Sequence, residues 1–84
     1  MDTTIYETLF LVYGVSDCPH CLWACGDLME AGISYAFVNL DFAQDYHEII
    51  KHKFNWPTFP LVVKITDEKE ILIGGYEQLK EYMK

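Results

Sequence analysis

The 84-residue chain predicts an α/β fold of order β-α-β-α-β-β-α: a four-stranded mixed sheet with helices on both faces. Three observations predict it. Thr8-Leu9-Phe10-Leu11-Val12-Tyr13 is an apolar run bounded by Gly14, the pattern of a strand buried on both faces. A helix opening at Pro19 and stopping at Gly32 then leads into a second apolar run. A strand-helix-strand unit implies a parallel pair with a right-handed crossover. Late in the chain, two apolar runs flank the polar Asp67-Glu68-Lys69, a hairpin that adds antiparallel strands.

Each element has its own signal. Pro19 suits the first helical turn because its missing N–H would be unpaired there anyway. Ala24, Leu28 and Ala31 fall at i, i+4, i+7 and make one buried stripe. The second strand spans Ile33 to Leu40. Asp41 is placed to cap a second helix running to about Phe54, with Tyr46, Ile49, Ile50 and the Lys53 stem facing inward. Lys51, His52 and Lys53 suit its negative dipole end. Trp56-Pro57-Thr58-Phe59-Pro60 cannot be helical. Leu61 to Thr66 and Glu70 to Ile73 read as strands, Gly74-Gly75 ends the latter, and Tyr76, Leu79 and Met83 mark a last helix.

Composition bounds the function. At 51% apolar and 23% charged residues, the chain packs a core and is too apolar for disorder. We read it as one domain, residues 1–84, and as a monomer. Six basic against thirteen acidic side chains leave a net charge of −7. Nucleic acid binding needs a positive footprint, so it is excluded, and anionic membrane surfaces are disfavoured. No apolar run approaches the roughly 20 residues that cross a bilayer. Met1-Asp2-Thr3-Thr4 has neither the positive nor the apolar region of a signal peptide, so the expected compartment is the reducing cytoplasm. Three cysteines are too few for a secreted disulfide framework, and their placement reads as chemistry.

Cys18-Pro19-His20-Cys21 carries that chemistry. Two cysteines three apart at a helix start put both sulfurs on one turn. Cys18 lies where unpaired N–H groups and the positive dipole end favour a thiolate. Cys21, further inside, is expected to be more buried. The roles follow: Cys18 attacks a disulfide and Cys21 resolves the mixed disulfide. The rival is half a zinc site, but structural zinc wants four ligands and one pair is present. No metal site is assigned. His20 is either a spacer over the site or a protonatable group favouring the Cys18 thiolate. Cys25 lies about 10.5 Å of helix rise from Cys18, too far to bond it. It is read as a small apolar side chain or as a secondary oxidation site.

Three segments together resemble the glutaredoxins: Cys18-Pro19-His20-Cys21 after the first strand, Thr58-Phe59-Pro60 before the third, and Gly74-Gly75 before the last helix. The order and spacing match over essentially the whole chain, and the implied fold is thioredoxin-like. His20 stands where that family usually has Tyr. Cys-Pro-His-Cys is also the motif of the strongly oxidising periplasmic disulfide oxidase, whose helical insertion this chain lacks. The resemblance implies a cis Pro60, and a Phe59 backbone that pairs with glutathione as a short antiparallel strand. It further implies a glutathione groove completed by Thr58, Gly74, Gly75, Tyr76, Glu77 and Gln78. Glu77 and Gln78 replace the Thr or Ser and Asp usual there, and Val15 replaces a usual basic residue. Lys51 or Lys53 is then a candidate for the missing positive charge.

The resemblance implies an enzyme, a dithiol glutaredoxin using glutathione as co-substrate with no tightly bound cofactor. Its substrates would be protein disulfides, ribonucleotide reductase among them, and glutathione mixed disulfides. Two alternatives stand beside it. Trp56-Pro57-Thr58-Phe59-Pro60 also resembles the monothiol glutaredoxins, which share a glutathione-ligated [2Fe-2S] cluster. A disulfide oxidoreductase served by a thioredoxin-type reductase is the other.

Overall fold

The computed structural model describes residues 8–67 and 69–84. Its elements follow the predicted order: β1 (Leu9–Gly14), α1 (Pro19–Glu30), β2 (Tyr35–Asn39), α2 (Gln44–Phe54), β3 (Leu61–Thr66), β4 (Lys69–Gly74) and α3 (Tyr76–Tyr82). The strands form one sheet in the order β2-β1-β3-β4. β1 and β2 are parallel, whereas β3 runs antiparallel to both β1 and β4. This is the mixed sheet expected from one crossover followed by one hairpin. Glu68 of the expected hairpin turn lies outside the described residues.

Alternation along the central strands divides the core into two layers. Phe10 and Val12 of β1 and Val62 of β3 pack with Ala24, Cys25 and Leu28 of α1 and Leu79 of α3. Ala31, expected in the same stripe, is the exposed C-cap instead, because α1 ends at Glu30 before the stripe reaches it. On the other face, Tyr13, Leu61 and Val63 pack with Leu40 and with Ile50 of α2. Val12, Leu28, Ile50, Leu61, Val62, Val63 and Leu79 are fully buried. The apolar run of β1 therefore has the cause assigned to it, a helix layer on each face. In β4, Val62 pairs with Gly74 but Val63 pairs with Leu72, so Ile73 is an extra residue that bends the strand before α3.

Two expectations for α2 fail. Asp41 does not cap it: the helix begins at Gln44, its N-cap residue is Ala43, and no side chain bonds the first turn. The Asp41 carboxylate instead accepts the Ser16 N–H at 2.9 Å and the Ser16 hydroxyl at 2.6 Å. The C-terminal ends of two parallel strands lie side by side, so Ser16 is nearer to Asp41 than the helix is. Tyr46 and Ile49 also point outward, 39% and 56% exposed, and of the four expected inward residues only Ile50 is fully buried. A single sheet face cannot cover four side chains spread over two turns. The Lys53 ammonium pairs with Glu70 at 3.0 Å.

Candidate functional site

The site gathers at one end of the sheet, where β1 gives way to α1. Cys18 is the N-cap of α1, with extended backbone, and its Sγ accepts the Cys21 N–H at 3.2 Å. Pro19 occupies the first helical position, as expected. Cys18 is half-buried and Cys21 is wholly buried. The two are joined as a disulfide, whereas Cys25 is a free thiol. Gly14 makes this seating possible. A Cβ there would overlap Cys21 Sγ and stand 3.2 Å from both Cys21 Cβ and Phe37 Cε1. The last residue of β1 must lack a side chain for α1 to pack this closely. Cys25 belongs to the core layer beneath α1, and burial pushes its thiol pKa up, which makes it a poor nucleophile.

The loop before the cysteines is held from outside the motif. Ser16 binds Asp41, as described above, and Asn39 Oδ1 accepts the Asp41 N–H at 2.7 Å. The Ser16 hydrogen bonds hold the Asp41 carboxyl below its ordinary pKa, with Asn39 and His47 adding to the effect. No pattern in the sequence pairs residues 16 and 41.

A groove meets the cysteine motif at His20. Thr58, Phe59, Pro60, Gly75, Tyr76, Glu77 and Gln78 line it, together with His20 and Trp56. All but one of the residues assigned to glutathione are thus in one place, contributed by the loop before β3 and the start of α3. Gly74 is the exception. It is buried behind the groove with φ +124°, and a Cβ there would stand 2.8 Å from Gln78 Cγ, so both backbone and space require glycine. The Phe59–Pro60 peptide bond is cis and Pro60 is buried.

Side chains of α2 brace the Phe59 loop. His47 meets the Phe59 ring edge-on at 5.2 Å and donates from Nε2 to the Leu40 carbonyl at 2.8 Å. Lys51 Nζ lies 4.9 Å from the centre of the same ring. With Lys53 engaged by Glu70, Lys51 is the lysine of α2 that stands beside the groove. Trp56 is half-buried in the α2-side layer, and its indole N–H is buried without an acceptor among the described residues.

At the other wall, Gln78 Oε1 accepts the Gly75 N–H at 2.9 Å. The side-chain oxygen of this groove residue is thereby committed to starting α3. Tyr76 is braced more strongly. Its hydroxyl donates to Asp27 of α1 at 3.0 Å, while its ring stacks on His20 at 5.7 Å. Trp23 meets His20 edge-on at 5.0 Å. Burial, then the bond to Asp27, raises the Tyr76 hydroxyl pKa, so it remains a donor. The imidazole between the cysteines is held by two aromatic rings. Trp23 was not singled out from sequence, although its place one turn after His20 was the available signal.

Among the described residues, no three His, Cys, Asp or Glu side chains converge to hold a metal ion, and no helix is long and apolar enough to cross a membrane. The chemistry the arrangement offers is that of the sulfur pair: one reachable sulfur at a helix N-terminus, one buried behind it, and a groove alongside.

Comparison with known proteins agrees. A mutant of the thioredoxin-like protein BC3987 is similar in fold, with a TM-score of 0.64 at 18% identity, over 89% of this chain and 99% of that one. The glutaredoxin from Archaeoglobus fulgidus is similar with a TM-score of 0.59 at 24% identity, over 96% of this chain and 89% of that one. No curated protein matches the chain. The family model described as Glutaredoxin matches residues 5–71, which hold the cysteine pair and the cis-proline loop. With its thioredoxin-like fold, the chain belongs to the glutaredoxin family.

Proposed function

We propose that the chain is a dithiol glutaredoxin, a thiol–disulfide oxidoreductase that reduces protein disulfides and glutathione mixed disulfides with glutathione as electron donor. The observation that carries the reading is the unequal exposure of the two sulfurs beside the groove: Cys18 is half-buried at the N-cap, whereas Cys21 is wholly buried. In the reduced protein, the Cys18 thiolate attacks one sulfur of a substrate disulfide. A Cys18–substrate disulfide forms and the other substrate sulfur leaves as a thiolate. The Cys21 thiolate then attacks Cys18 Sγ, which closes the Cys18–Cys21 disulfide and releases the second substrate thiolate. Two electrons pass from the protein to the substrate. With a glutathione mixed disulfide, Cys18 takes the glutathionyl sulfur, and a second glutathione releases it as glutathione disulfide.

Glutathione would lie along the Phe59 backbone, its γ-glutamyl end toward Gly75 and Tyr76. Lys51, whose Nζ lies 4.9 Å from the centre of the Phe59 ring, would take its glycyl carboxylate in place of the basic residue that Val15 replaces. Two cysteine variants in a coupled glutathione and hydroxyethyl disulfide assay, alongside a glutathionylated peptide, test the reading. Cys18→Ser should abolish every exchange, and Cys21→Ser should keep deglutathionylation, which needs one thiol. Equal loss of deglutathionylation in both would overturn the assignment of roles.

A further inference from the structure

The outer face of α1 is apolar yet faces solvent. Leu22, Trp23 and Met29 are 57%, 53% and 64% exposed. Gly26 stands among them, and a Cβ there would meet nothing within 4 Å, so the face is hollowed into a trough of about 380 Å³. Asp27 and Glu30 supply its polar edge. Tyr76 lines both this trough and the groove beside the cysteines, so the two adjoin across its ring. Lys80 and Lys84 stand beside the same two carboxylates, Lys80 over the Tyr76 ring, but each is matched by a glutamate of its own, Lys80 by Glu77 and Lys84 by Glu81, so the local balance stays negative.

We propose that this trough docks a basic, apolar-bearing polypeptide segment of the disulfide substrate, with an apolar side chain over Gly26 and a Lys or Arg against Glu30. The proposal rests on the reading of Cys18 as the attacking thiol. Charge complementarity selects the occupant. The trough edge is acidic and the chain carries −7, which draws in positive segments and repels negative ones. A second copy would bring the same carboxylates face to face, so it is a poor occupant. Adjacency to the cysteine groove gives the segment its register. Glu30 follows Cys18 by 12 positions, about 18 Å along a helix. An extended chain covers about 3.3–3.6 Å per residue. The cation should therefore lie about five or six residues from the substrate cysteine that Cys18 attacks.

Synthetic peptides with an internal disulfide test this. One set carries Lys five or six residues from the disulfide on either side, a second carries Glu there, and a third carries Lys next to it. Reduction by the dithiol protein is followed at low ionic strength, with hydroxyethyl disulfide as the small control. The expected result is an apparent KM about fivefold lower for the remote-Lys peptide than for its Glu counterpart. Glu30→Lys should invert that order without changing the rate on hydroxyethyl disulfide. Equal KM for Lys and Glu peptides, or a preference that survives Glu30→Lys, would overturn the docking site while leaving the redox function standing. An adjacent Lys that serves as well as a remote one would also overturn it. Concentration-dependent dimerisation abolished by Met29→Glu would give the trough to a second copy and refute the proposal. Failure to reduce hydroxyethyl disulfide as well would refute the functional reading and the docking site together.

Discussion

Two glycines make opposite predictions for the same substitution. At Gly14 an added Cβ would overlap Cys21 Sγ and crowd Phe37 at 3.2 Å. Cys21 is wholly buried, so its sulfur cannot swing into solvent, and the first turn of α1 must lift from β1. Overpacking of this kind costs about 1–3 kcal/mol. For a domain of this size that is a fall in Tm of about 4–24 °C. At Gly26, in the middle of α1, a Cβ meets nothing within 4 Å. Alanine there removes the glycine penalty in a helix, about 0.5–1 kcal/mol, and should raise Tm by about 2–8 °C. Thermal unfolding of parent, Gly14→Ala and Gly26→Ala under one oxidising condition measures both. Function should split too. Lifting the first turn displaces Cys21 relative to Cys18, so Gly14→Ala should slow protein-disulfide reduction, which needs both thiols, more than deglutathionylation, which needs Cys18 alone. A Gly14→Ala protein as stable as the parent would refute the close seating of Cys21 on β1. Equal slowing of the two reactions would refute the link from that seating to the resolving step.

Three further outcomes are expected. His20→Tyr should shift the glutathione redox equilibrium toward a more reducing couple, because a protonatable group beside the Cys18 thiolate is lost; an unchanged midpoint would remove His20 from the tuning. Gln78→Ala should cost about 0.5–1.5 kcal/mol in denaturant unfolding by freeing the Gly75 N–H, whereas Gln78→Glu, which keeps the reach and adds charge, should not; equal stability of both variants would refute the cap. Asp41, whose folded pKa is lowered, should contribute stability that is present above about pH 4. That stability is lost as pH falls through the lowered folded value, since the unfolded chain takes up the proton first. Scans of Tm against pH should therefore show a shallower acid limb for Asp41→Ala than for the parent.

The architecture was legible because its causes are local. A strand covered on both faces must be apolar, and Leu9 to Tyr13 is; a proline and a glycine bracket α1; a polar turn separates β3 from β4. The failures share one cause, which is that sequence neighbours were preferred over spatial ones. Asp41 stands where a cap would, but the parallel pairing of β1 with β2 brings Ser16 within 2.6 Å of it. Tyr46 and Ile49 keep helical spacing with Ile50, yet the sheet face beneath α2 is already filled by Tyr13, Leu61 and Val63. Periodicity tells which residues share a stripe and not how wide a stripe the sheet covers.

The candidate site divides along the same line. Its sulfur chemistry lies within four consecutive residues, so spacing alone carried it. The groove needed three segments, and these became one site because β1, β3 and β4 lie side by side and present their ends at one end of the sheet. What no spacing could reveal is the bracing of the imidazole between the cysteines. Tyr76 is remote from His20 in the chain, and it stacks there because the bend at Ile73 starts α3 against α1 and Asp27 holds its hydroxyl. A side chain that looked like a member of the ligand groove is thereby also the wall separating that groove from the trough on α1. Substitution at Tyr76 would disturb His20, the groove and the trough at once, which is why the three are probed through His20, Gln78 and Glu30 instead.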